Sequence, residues 1–274
     1  QFIATGSSSF DLANEINEPL TGRKRVFQLY PISMGELAQM SSQTDESRLL
    51  EKRLIFGLYP EIVSVEGGAL TALKEIATSY LYKDIFKLEE IKNQDIIHDL
   101  VKALALQIGG EVSYNELSKL LGIDRKTVIK YISVLERAFV IFRARPWHKN
   151  KRTELGKLRK IYFYDNGLRN MIINNLNPVN LRTDVGALWE NFMMSEIIKA
   201  KSFRQEEADI HFWRTYDRQE LDYVEEVSGK MIAHEFKWSK NSKFKKPKTF
   251  LNLYPNVPID IVTPDNFWKT IARD

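Results

Sequence analysis

Positions set three, four and three apart, Ala187, Glu190, Met194 and Ile197, mark an apolar helical stripe. Glu190 falls among its apolar residues. A carboxylate there is costly unless it is paired or bound to a cation. Two short runs then read as strands, 219–227 and 231–238, joined by a Ser228-Gly229-Lys230 hairpin turn. Strand alternation points Glu235 and Lys237 to one side, and His234, Phe236 and Trp238 to the other.

Earlier in the chain, residues 70–108 carry helical spacing at Leu73, Ile76, Tyr80, Leu81, Ile85 and Phe86. Gly57-Leu58-Tyr59-Pro60-Glu61 marks a turn before them. Between Val112 and Trp147 the pattern is sharper. Ser113-Tyr114-Asn115-Glu116 has the form of a capping box, and the helix it opens continues through Leu117, Leu120 and Leu121. Gly122 breaks that helix, Asp124 caps a second, and Val128, Ile132 and Leu135 give the second its core face. The result is a helix-turn-helix pattern with Arg125, Lys126, Thr127 and Lys130 on the exposed side. Residues 140–145 and 160–164 then predict the two strands of a wing, completing a winged helix. Such a unit serves either to bind DNA or to dock protein.

Charge changes this picture more than composition does. The 274 residues are 43% hydrophobic and 28% charged, ordinary for a globular protein, and the absence of cysteine excludes disulfides and zinc thiolates. His98, His148, His211 and His234 lack metal-ligand spacing. No apolar run has the length of a membrane span and the start does not resemble a signal peptide, so a cytoplasmic protein without a membrane partner is expected. The net charge is only +4, yet residues 143–160 hold eight Lys/Arg against Glu154, and 237–248 hold six lysines against no acid. Basic patches on an otherwise acidic chain suit a polyanion, although a charge run also fits a solvated face.

The candidate chemistry lies in Glu190, Asp222 and Glu235-Phe236-Lys237. Carboxylates gathered in this way suit Mg²⁺, which prefers oxygen ligands and keeps several waters. Such a metal activates a bound water against a phosphate, with Asp222 and Glu235 as the metal ligands, Lys237 assisting the water and Glu190 completing the site. Each carboxylate alone fits a surface or salt-bridged residue, and Glu-x-Lys alone says little. The ordered set of helix, hairpin and Glu-x-Lys is more specific.

These features together resemble the C-terminal part of prokaryotic AAA-superfamily ATPases that carry a winged helix and a terminal PD-(D/E)XK nuclease-like domain of unknown function. The resemblance spans essentially the whole chain. Ile3-Ala4-Thr5-Gly6-Ser7-Ser8 is similar to the sensor-1 strand and turn, which would set Thr5 or Ser7 near a γ-phosphate. Leu20-Thr21-Gly22-Arg23 is similar to the segment that follows, with Arg23 either a surface residue or an arginine finger for a neighbouring subunit. Phe163-Tyr164-Asp165-Asn166-Gly167-Leu168-Arg169 resembles the family's link out of the wing. Gly186-Ala187-Leu188-Trp189-Glu190-Asn191, Glu220-Leu221-Asp222 and Glu235-Phe236-Lys237 resemble its terminal domain.

The resemblance implies an α+β chain in three parts: an ATPase-core remnant over 1–65, a helical linker and winged helix over 66–165, and the nuclease-like domain over 166–274. The 274 residues contain no G-x-x-x-x-G-K-[ST] phosphate loop, and the Walker B segment is also lacking. ATP would therefore be bound only by a full-length parent. The chain opens inside a strand without methionine, so upstream residues are expected. Two functions follow as expectations. One is an ATPase fragment that binds nucleic acid, DNA first, and cuts it with Mg²⁺ across a groove lined by Lys240, Lys243 and Lys245. The other is a non-catalytic module docking DNA or a partner protein, its site plugged by Trp213 or Trp238. An oligomer is compatible with either.

Overall fold

The computed structural model describes residues 25, 27–65, 67–79, 93–147, 159–206, 209–227 and 229–271. Thr5, Ser7 and Arg23, the helical positions Tyr80, Leu81, Ile85 and Phe86, the basic residues 148–158 and Ser228 lie outside the described residues.

The N-terminal part is helical. Ser33 opens α1 (Met34–Met40) with a complete capping box, in which its hydroxyl accepts from Glu36 N and the Glu36 carboxylate accepts from Ser33 N. Next come α2 (Gln43–Arg48) and α3 (Leu50–Phe56), which ends at Gly57 with φ +84°. Pro60 occupies the first turn of α4 (Pro60–Ser64), where its missing N–H costs nothing, and α5 is Ala69–Ala77.

The middle part begins with α6 (Gln94–Leu106), capped by Asn93, and β1 (Glu111–Val112). Ser113 accepts from Glu116 N at the start of α7 (Tyr114–Leu121), Gly122 ends that helix in the left-handed conformation, and Asp124 caps α8 (Arg125–Arg137) through Lys126 N and Thr127 N. The predicted core face of α8 is buried: Val128, Ile132 and Leu135 are at 0% exposure. Strands β2 (Ile141–Pro146) and β3 (Arg159–Phe163) pair antiparallel, Ile141 opposite Phe163, and β1 adds to the far side of β3.

The terminal part holds α9 (Asn166–Ile172), a 3₁₀ turn at Val179–Leu181, α10 (Val185–Phe203), β4 (His211–Arg214), β5 (Glu220–Val227), β6 (Lys230–Phe236), α11 (Lys248–Leu253), β7 (Ile259–Val262) and α12 (Trp268–Ile271). The β5–β6 hairpin forms as expected, Val227 pairing with Lys230 and Gly229 taking φ +76°. Together these elements make a mixed α+β fold.

One finding has no counterpart in the sequence reading. The strands of the middle and terminal parts join a single sheet, in the order β1-β3-β2-β4-β5-β6-β7. The join is a short parallel pairing, Arg145 opposite His211 and Pro146 opposite Phe212. Helix α10 lies across this sheet and is buried on most sides: Leu188, Trp189, Phe192, Met193 and Met194 share a core with Met34 and Leu54 from the N-terminal helices and Tyr223 and Phe236 from the strands. No helix among the described residues is long and apolar enough to cross a membrane.

Candidate functional site

Glu190, Asp222, Glu235 and Lys237 come together where α10 crosses the sheet. The β5–β6 pairing sets Asp222 beside the Glu235 strand, and its Oδ2 accepts from Phe236 N at 2.8 Å. Lys237, the residue after β6, places its ammonium 2.6 Å from Glu235 Oε1. Glu235 is buried, and its Oε2 has no hydrogen-bond partner among the described residues.

The centre of the cluster is held by Lys160, which the sequence placed in a wing strand and in the basic run 143–160, but which is buried rather than offered to a polyanion. Its ammonium is 2.9 Å from Glu190 Oε1 and 3.9 Å from Asp222 Oδ1, and it pairs with Glu220. Its strand β3 is separated from β5 by β2 and β4 in the sheet, and its ammonium lies over the Phe212 ring of β4 at 5.4 Å. Lys160 is 2% exposed. Tyr162, two residues on and therefore on the same face of β3, donates its hydroxyl to Glu190 Oε1 at 2.6 Å. Arg214 at the end of β4 bridges Glu220 (3.3 Å) and Glu111 of β1 (3.4 Å). The α6–β1 turn lies against the same carboxylate, because a Cβ at Gly109 would stand 3.2 Å from Glu190 Oε2. The carboxylates of the terminal part are thus roofed by the middle part.

Electrostatics follow from this crowding. Burial, then the neighbouring Glu190, holds the Asp222 carboxyl well above the usual carboxylate range, despite Lys160. Burial also raises Glu235, against the pull of Lys237. Burial opposes the charge on Lys160, yet Glu190, Asp222 and Glu220 around it push its ammonium well above the ordinary lysine range.

The side chains do not fit a metal ion as they are arranged. Among the described residues no three His, Asp or Glu side chains are set to hold one, and the Lys160 ammonium stands between Glu190 and Asp222. The tryptophans expected as alternative plugs do something else: Trp213 packs on Phe250 at 5.1 Å and Trp238 on Trp189 at 5.8 Å.

The remaining predicted residues lie on two surfaces. Arg125, Lys126 and Lys130 are exposed on α8, while Thr127 is half-buried and donates its hydroxyl to the capping Asp124. Lys240, Lys243 and Lys245 are exposed in the segment after β6, with Lys240 paired to Asp265 at 2.6 Å. That segment adjoins the carboxylates through Phe244, whose ring lies 5.8 Å from the Lys237 ammonium. Sequence reasoning missed Lys160, Tyr162, Glu220, Arg214 and Glu111 as site residues. One signal was available: Lys160 and Tyr162 alternate on one face of a strand otherwise bound for the core.

Comparison with known proteins gives three matches along the chain. Residues 1–38 match an AAA domain, 47–179 a domain of unknown function (DUF8612), and 185–265 another domain of unknown function (DUF4143). The chain is 28% identical over 177 residues to an uncharacterized protein of Haemophilus influenzae, covering 61% of this chain and 44% of the relative. It is 25% identical over 240 residues to an uncharacterized protein of Mycobacterium tuberculosis, covering 86% of this chain and 52% of the relative, and a Mycobacterium bovis protein gives the same figures. The chain spans about half the length of the curated relatives it matches. No solved structure matches it. The likeness to AAA-type ATPases rests on the match over residues 1–38, and the DUF4143 match adds a domain of unknown function.

Proposed function

We propose that this chain contacts DNA on behalf of an AAA-type ATPase-related protein, with a winged helix as the reading surface and a nuclease-like domain that docks rather than cuts. The observation that carries the proposal is the first turns of α8, where Arg125, Lys126 and Lys130 face solvent from a helix fixed by a buried apolar side. The order α6, β1, α7, α8, β2, β3 supports a winged helix, because the second of two helices joined by a tight turn is the one offered to a groove. The sequence between β2 and β3 adds Lys149, Lys151, Arg152 and Lys157, positive charge that suits a phosphate backbone. ATP binding and any finger role for Arg23 belong to the longer protein.

The test is fluorescence anisotropy of a labelled duplex against the chain at several salt concentrations. Affinity should fall steeply with salt, and Arg125→Ala or Lys126→Ala should each lower the log–log salt slope by about 1. Binding that is absent, or unchanged in both variants, would overturn the proposal and direct the search to a protein partner.

A second reading, an Mg²⁺-dependent nuclease, is favoured by the convergence of Glu190, Asp222, Glu235 and Lys237 and by the unpartnered Glu235 oxygen. It predicts cutting of single- or double-stranded DNA or RNA in Mg²⁺ or Mn²⁺ that is lost in Asp222→Ala and in Glu235→Ala. The ammonium of Lys160 among the carboxylates is the reason to rank it second.

A further inference from the structure

We infer that Lys160 is a built-in counter-cation: it occupies the position among Glu190, Glu220 and Asp222 that a metal ion shared by those carboxylates would need, and it uses them to lock the helix-turn-helix part onto the terminal part. The carboxylates come from α10 and β5, whereas Lys160 and its neighbour Tyr162 come from β3, so each contact crosses between the two parts. The backbone join between those parts is short, only Arg145 and Pro146 of β2 pairing with His211 and Phe212 of β4. Side chains must therefore hold much of the seam, and Glu111–Arg214 is a second ion pair spanning it.

Five carboxylates meet here, Glu111, Glu190, Glu220, Asp222 and Glu235, against the three cations Lys160, Lys237 and Arg214. Removing the most central cation leaves Glu190 and Asp222 facing each other in a buried place. A divalent cation and the Lys160 ammonium compete for one position, so a metal enters only when that ammonium is gone. This inference is independent of DNA binding by α8, since none of its residues lies on that helix.

The experiment is thermal unfolding of the wild-type chain and of Lys160→Met, each in EDTA and in millimolar Mn²⁺. A ligand that binds only the native state raises Tm, so Tm reports site occupancy without any assay of activity. The wild-type Tm should be the same in both buffers. Lys160→Met should unfold about 10 °C lower in EDTA, as expected for a broken buried ion pair, and should recover in Mn²⁺. If it fails to fold, Lys160→Met combined with Glu220→Gln restores the charge balance and should show the same Mn²⁺-dependent rise. A wild-type Tm that rises with Mn²⁺ would overturn the inference. So would a Lys160→Met variant that loses no stability, or that loses it without recovery in Mn²⁺.

Discussion

Two buried polar clusters lie side by side near the start of α10, where Glu190 belongs to one and Asn191 to the other, and they are built on opposite principles. The Lys160 seam has more carboxylates than cations, and its central acids are pushed upward. The second cluster, around Asp165, Arg169, Asn170, Arg182, Asp184 and Asn191, is balanced and closely hydrogen-bonded. Asp165 accepts from Leu168 N and Leu58 N at 2.9 and 2.7 Å. Asn191 exchanges two hydrogen bonds with the Phe163 backbone, and Asn170 donates to the carbonyls of Leu54 and Ile55. Arg169 donates to Ala105 O and to Asp184, which also accepts from Arg182. Burial alone would raise Asp184, but hydrogen bonds from Arg182 and Arg169 bring it below its ordinary value. A satisfied network ties three parts of the chain together permanently, while an unbalanced one depends on a single ammonium.

The largest effect is expected where the balanced cluster is cut. Arg169→Ala should destabilise the chain by about 3–5 kcal/mol, because it strands Asp184 and the Ala105 carbonyl and empties a fully buried volume. Urea unfolding of the variant measures this. A loss below about 1 kcal/mol would mean that the network is no stronger than a surface ion pair, and the contrast with the seam would collapse.

The next effect has opposite signs in the two clusters. A carboxyl raised by folding costs stability once ionised, so Asp222 and Glu235 should make the protein more stable as pH falls from neutrality through their raised pKa values. Asp165, raised by burial, acts in the same sense. A carboxyl depressed by folding contributes stability above its unfolded pKa and loses it below, so Asp184 acts only in stronger acid, under about pH 4. Asp222→Asn should therefore raise the urea midpoint wherever the wild-type carboxyl is ionised and flatten the gain in stability as pH falls. Asp184→Asn should lower the midpoint at pH 7 and remove part of the acid loss. Equal behaviour of the two variants at pH 7 would erase the distinction.

Much of this layout was legible in the sequence, and the part that was not has a physical reason. Caps and turns are local, so Ser113, Gly122 and Asp124 announced α7 and α8, and Gly229 announced the β5–β6 hairpin. Strand alternation put Glu235 and Lys237 on one side, as they are. The carboxylates of Glu190, Asp222 and Glu235 were readable as a set because each falls in an element with a local signal: a helical stripe, and two strands joined by a hairpin turn. Lys160 was not, since its role depends on the β2–β4 pairing, which two residues on each strand create and no local pattern encodes. The link Tyr164-Asp165-Asn166-Gly167 was seen only as a resemblance. Its constraint is tertiary: a Cβ at Gly167 would overlap the Phe56 carbonyl, and Asp165 caps α9 while holding Leu58.

The smallest effect tests whether the two clusters are separate units at all. Tyr162→Phe removes one donor from Glu190 Oε1 and leaves Lys160 bound to the same atom, so it should cost about 1.5 kcal/mol. Because Tyr162 and Lys160 share that acceptor, the double variant with Lys160→Met should be less stable than the sum of the two singles, by about 0.5 kcal/mol or more. Tyr162 and Arg169 share no hydrogen-bond acceptor, so Tyr162→Phe with Arg169→Ala should be additive within about 0.5 kcal/mol. Coupling in the second pair as large as in the first would mean that strain passes from the seam to the balanced cluster along α10, where Glu190 and Asn191 are adjacent. The carboxylate site and the balanced cluster would then open and close as one body, and the lock formed by Lys160 would govern both.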